Sequence, residues 1–130
     1  MPSNVSLTPA GTNHIENDFI TGTDGFIIYQ IEVPVCGFNN DFLRVVINSE
    51  YDLWEESVFQ VFWANEGEGF TEDRSFIFMG NNGELLIPLG TSPSWMLSNT
   101  INRIRFDFPA TMDGKAMPHI ELTLYEYRDD

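Results

Sequence analysis

The chain has 130 residues, 42% hydrophobic and 14% aromatic, with 20 acidic side chains against six basic ones and a formal net charge of −14. This is too apolar for disorder and long enough for one hydrophobic core without disulfide or metal staples, and it holds no apolar run that would span a bilayer. The charge repels phosphate backbones and anionic lipid surfaces, so nucleic-acid binding is not expected, and without a spanning apolar run neither is membrane insertion.

The opening MPSNVSLTPAGTNHIEND carries no basic segment followed by an apolar one, so a cytoplasmic location is the default, unless the chain is excised from a longer protein. Residues 1–17, polar and punctuated by Pro2, Pro9 and Gly11, read as an extended or poorly ordered lead-in to a single domain over 18–130. Cys36 is alone, which rules out an intrachain disulfide, and it reads as a small residue near a turn.

From there seven short segments rich in Val, Ile, Phe and Tyr follow one another: 26–33, 42–49, 57–65, 74–79, 84–89, 100–108 and 119–127. Each is bounded by turn chemistry such as TDG, GFNND, GNNGE and TMDG, and none keeps a helical period, so they read as strands. Between the second and third, DLWEES (52–57) offers one helical turn, with Asp52 as cap and Glu55 three residues on. SVFQVFWAN is apolar on both faces, as suits a central strand or one whose outer face binds something. In the sixth strand Ile104, Phe106 and Phe108 alternate with Arg103, Arg105 and Asp107, and in the seventh Ile120, Leu122 and Leu124 alternate with His119, Glu121, Thr123 and Tyr125. Seven or eight strands at this spacing predict an all-β protein, an antiparallel β-sandwich of jelly-roll type.

The densest chemistry lies at WANEGEGFTEDRSFIF (63–78). A hairpin-like connection accounts for most of it: Gly67 and Gly69 supply the turn, Phe70 folds back onto the core, and FIF resumes the ladder. The oxygens of Asn65, Glu66, Glu68, Glu72 and Asp73 are the candidate ligands for calcium, although Gly67 and Gly69 fall where an EF-hand requires oxygen side chains. Otherwise the chain needs no cofactor. Flat aromatic side chains stack on the C–H faces of sugars while carboxylates, amides and Arg take the hydroxyls. Tyr51, Trp54, Trp63 and Trp95 are therefore the stacking candidates, with Glu72, Arg105 and Asp107 as hydrogen-bonding partners, and one or two of the Trp residues are expected in the core. No nucleophile, phosphate-loop or zinc motif is present and His14 stands far from His119, so no catalytic residue is assigned.

The order FWANEGEGFTEDRSFIF, GELLIPLG, INRIRFDF and IELTLYE resembles the jelly-roll-like, carbohydrate-binding-module-like β-sandwich modules attached to bacterial glycosyltransferases and other surface-polysaccharide proteins. The likeness covers residues 59–126 and rests on Gly67, Gly69, Phe70, Thr71 and Glu72, then Ile101, Ile104, Arg105, Phe106 and Asp107, then Ile120, Leu122 and Leu124. It implies a non-catalytic module that binds carbohydrate. The alternatives are a structural or protein-interaction module, self-associating as a homo-oligomer or docking on a protein partner, and a small jelly-roll hydrolase with a carboxylate pair in a cleft.

Overall fold

The computed structural model describes residues 3–22, 25–50 and 57–126. Eleven strands occur among them: β1 (Ser3–Ser6), β2 (Thr8–Asn13), β3 (Ile15–Glu16), β4 (Phe19–Ile20), β5 (Phe26–Val35), β6 (Phe42–Asn48), β7 (Val58–Asn65), β8 (Ser75–Met79), β9 (Gly83–Ile87), β10 (Ile101–Asp107) and β11 (His119–Glu126). One sheet runs β1-β11-β6-β9 and a second runs β2-β5-β10-β7-β8, with β3 and β4 forming a separate two-stranded ribbon.

The pairs β1–β11, β5–β10, β6–β9 and β7–β8 are nested in sequence and fall alternately in the first and second sheets. The chain is thus one long hairpin rolled over on itself, the jelly-roll arrangement of a β-sandwich. All these pairings are antiparallel. The alternating residues of β10 and β11 fall as their pattern predicts: Ile104, Phe106, Ile120, Leu122 and Leu124 are buried between the sheets with Leu43, Val45 and Ile47 of β6. One cluster of rings, Phe59, Phe78, Phe106 and Phe108, fills one region of this core at centroid distances of 5.3–6.3 Å.

Residues 3–13, expected as a lead-in, run extended and close the edges of both sheets, β1 against β11 and β2 against β5. Val5 and Leu7 reach the core, but β2 is almost wholly exposed, so backbone pairing rather than a buried apolar row places that strand. The β3–β4 ribbon turns at Asn17 and Asp18, both at positive φ (53° and 65°), as the tightest two-residue hairpins require. A four-residue helix, α1 (Pro93–Met96), starts behind Ser92 with Pro93 in its first turn. Residues 52–56 of the expected helical turn lie outside the described residues.

Candidate functional site

Because β7 and β10 occupy the middle of the five-stranded sheet, their outward side chains meet across three rungs. The first joins Asn13, Phe26, Asp107, Gln60 and Ile77; the second Gly11, Ile28, Arg105, Phe62 and Ser75; the third Thr8, Gln30, Arg103 and Ala64. Directly opposite residues of antiparallel strands share a face. This outer face therefore carries amides, two guanidiniums, a carboxylate and aromatic rings.

Arg105 is the centre of it. Its guanidinium stands 4.3 Å from the ring centroid of Phe62 and 4.6 Å from that of Phe26, and its Nε and Nη2 donate to Asp107 Oδ1 and Oδ2 at 2.6 and 2.7 Å. The two-pronged bond fixes the plane of the fork, and the rings beneath hold it by cation–π attraction. The remaining guanidinium N–H groups find no acceptor among the described residues.

The connection between β7 and β8 leans over this face. Asn65 O accepts Glu68 N, Gly67 takes φ 79°, and a short 3-10 turn over Glu72–Arg74 leads into β8. Phe70 does not fold back onto the core as expected: it lies over Arg103 at 5.1 Å and Arg105 at 5.7 Å, because the two guanidiniums offer its ring a better partner than an already filled interior. Arg103 also donates to the carbonyl of Glu68, tying the loop down.

Three of the five candidate calcium ligands of the loop already have protein partners. Glu72 accepts from Gln60 Nε2 at 3.0 Å, Glu68 pairs with Arg74 at 3.2 Å, and Asn65 Oδ1 accepts Thr100 N. Among the described residues no group of three or more His, Cys, Asp or Glu side chains could hold a metal ion.

The site expected from the sequence is therefore assembled in part. Glu72, Arg105 and Asp107 come together on the outer face. Trp63 and Trp95 do not join them: they are 1% and 0% exposed and meet edge to face in the core, 5.1 Å apart at 88°. Each indole N–H is satisfied internally, Trp63 by Ser98 Oγ and Trp95 by the carbonyl of Asn40. Neither presents a ring face to solvent, so their assignment as stacking surfaces is corrected to a structural role. Tyr51 and Trp54 lie outside the described residues. The rings that do border the site, Phe26, Phe62 and Phe70, were not among the stacking candidates; the outward parity of Phe62 with Gln60 on a strand apolar on both faces was the available signal.

No family model matches the chain, and no curated protein sequence matches it. Among solved structures it is similar to a low affinity xylan binding module, CBM86, from the xylanolytic gut symbiont Roseburia intestinalis, with a TM-score of 0.56 over 96% of this chain and 92% of that one. At 8% identity the likeness is one of fold. The chain is thus a jelly-roll β-sandwich whose architecture is shared with a carbohydrate-binding module. No helix among the described residues is long and apolar enough to cross a membrane.

Proposed function

We propose that this protein is a carbohydrate-binding module that receives a glycan chain on the outer face of its five-stranded sheet, around Arg105 and Asp107, and performs no catalysis. The observation that carries the reading is the fixed guanidinium on an aromatic floor with N–H donors left for a ligand. Half-buried Phe26 and Phe70 supply apolar contact for sugar C–H faces, while Gln30 and Gln60 stand one rung away on either side. An extended polysaccharide suits a sheet face better than a deep pocket would. The net charge of −14 favours a neutral glycan. The fold likeness to a xylan-binding module supports the same class of ligand.

Native electrophoresis through gels containing soluble neutral polysaccharides (xylan, mixed-linkage glucan, glucomannan) tests the proposal, with polygalacturonate as the acidic contrast. Retardation by at least one neutral polymer, lost in Arg105→Gln with the fold intact by circular dichroism, is the expected result. Retardation that survives Arg105→Gln unchanged moves the site elsewhere, and none in any gel removes the function.

A second reading rests on one feature: the outer edge at β8 exposes Ile77 (62%) and Met79 (66%) beside Val58. An apolar, unpaired edge strand is suited to docking against protein. Concentration-dependent sedimentation, abolished by Ile77→Lys, would favour it.

A further inference from the structure

The chain crosses from the four-stranded to the five-stranded sheet at Leu7, between β1 and β2, and its N–H donates to the carbonyl of Leu122. Beyond this point β1 no longer covers the edge of β11, so Ile120 and Glu121 lose their neighbour on that side. A cleft of about 400 Å³ opens there, away from the Arg105 face, with Leu7, Pro9, Ile120 and Leu122 around it and Tyr29 among its lining.

Tyr29 makes this cleft more than a packing defect. It is 2% exposed, yet its hydroxyl has no hydrogen-bond partner among the described residues. Nor is that oxygen one of the sealed, partnerless polar atoms, which among the described residues are Asn40 Oδ1, Arg74 Nε and Asn102 Oδ1. It therefore meets accessible space, and Tyr29 is among the residues that line the cleft. Buried phenols ordinarily secure a partner, and one left open to a cleft is a donor waiting for an acceptor. Burial also pushes the phenol well above its ordinary value, so it remains a neutral donor throughout the physiological range.

We infer that this cleft is a second ligand site, separate from the outer face of the five-stranded sheet, that takes one neutral sugar ring with the Tyr29 hydroxyl donating to a ring or hydroxyl oxygen. The apolar side chains suit the C–H face of a pyranose, and Ser6 and the His119–Glu121 pair (3.5 Å) stand at the rim for its outer hydroxyls. The volume lies in the range of small-molecule sites. A charged ligand would be desolvated against Leu7, Pro9 and Ile120, while the ionisable groups of the lining, His119 and Glu121, are engaged with each other, which favours neutral ligands.

Amide shift mapping by nuclear magnetic resonance tests this, with xylose, glucose, galactose, mannose and N-acetylglucosamine as probes. It is run on the wild type, Arg105→Gln and Tyr29→Phe. Saturable shifts at Leu7 and Ile120–Leu122 are expected with at least one probe, unchanged in Arg105→Gln and weakened about tenfold in Tyr29→Phe, the worth of one neutral hydrogen bond at its upper range. Tyr29→Phe should melt no lower than the wild type, since the hydroxyl it removes has no internal partner. Three results would each overturn the inference: no saturable shift at those amides, undiminished shifts in Tyr29→Phe, or a clear fall in its melting temperature. Because Arg105→Gln is carried alongside, failure here is separable from failure at the sheet face.

Discussion

Arg105 and Asp107, two positions apart on β10, are joined through both prongs of the guanidinium at 2.6 and 2.7 Å, with the rings of Phe62 and Phe26 beneath the fork. The pair is only partly exposed (side chains 24% and 14%), so it is less screened than a free surface bridge. Asp107→Asn keeps the shape but removes the charge, and should cost about 1–2 kcal/mol in urea unfolding. By freeing the guanidinium to rotate, it should also weaken glycan retardation. A variant that binds normally would mean that the fork's orientation is irrelevant to the ligand.

The edge-to-face contact of Trp63 and Trp95 makes a different prediction from the one a surface stacking role would make. Trp95→Ala should cost about 3–5 kcal/mol, the range for emptying a large aromatic site in a core. Trp63→Phe, losing the bond to Ser98 and part of the ring contact, should cost about 1–2 kcal/mol. Where Trp63→Phe remains folded it should retain its polysaccharide affinity. Loss of affinity at unchanged stability would return Trp63 to the site.

Gly37 lies against the backbone of Trp95, and a Cβ added there would overlap the Trp95 carbonyl oxygen. Backbone cannot give way as a flexible side chain does. Gly37→Ala should therefore destabilise by about 2–3 kcal/mol, read as a lowered melting temperature. Gly69→Ala, where nothing stands within 4 Å of the new carbon, serves as the neutral control.

The raised phenol of Tyr29 gives stability a defined alkaline dependence. Its folded value lies above the ordinary 10.0, so above about pH 10 the unfolded chain releases this proton while the folded one keeps it. Stability contributed by the neutral phenol is complete below that point and declines as pH rises. Thermal melts between pH 8 and 11 should show a steeper fall for the wild type than for Tyr29→Phe. Parallel curves would show that Tyr29 ionises alike in both states.

The strands from β5 to β11 were legible because each pairs an apolar inward row with turn chemistry at its ends. β1 and β2 were not, since TPAGTN has neither row, and its place is set by hydrogen bonds from β5 that no local pattern announces. The outward position of Arg105 and Asp107 followed from alternation alone. The same parity, which puts Trp63 in register with Phe59 and Val61, would have placed that indole inside. Trp95 was beyond such reasoning, because its burial depends on the approach of Gly37 from far along the chain. The reach of Phe70 over two guanidiniums likewise depends on tertiary contacts, not on the composition of its loop.

The outermost nested pair sets Ser3 opposite Glu126, which puts the first and last described backbone positions within about 5 Å of each other. A chain that enters and leaves at one point can be spliced into a surface loop of a host protein without prising the host apart, or closed by a short linker and reopened elsewhere. The Asn81–Asn82 turn between β8 and β9 is the natural place to reopen it, since those strands belong to different sheets and no ladder crosses the break. The sandwich is therefore portable: its sheet face and its edge cleft travel together, whatever order the strands are synthesised in.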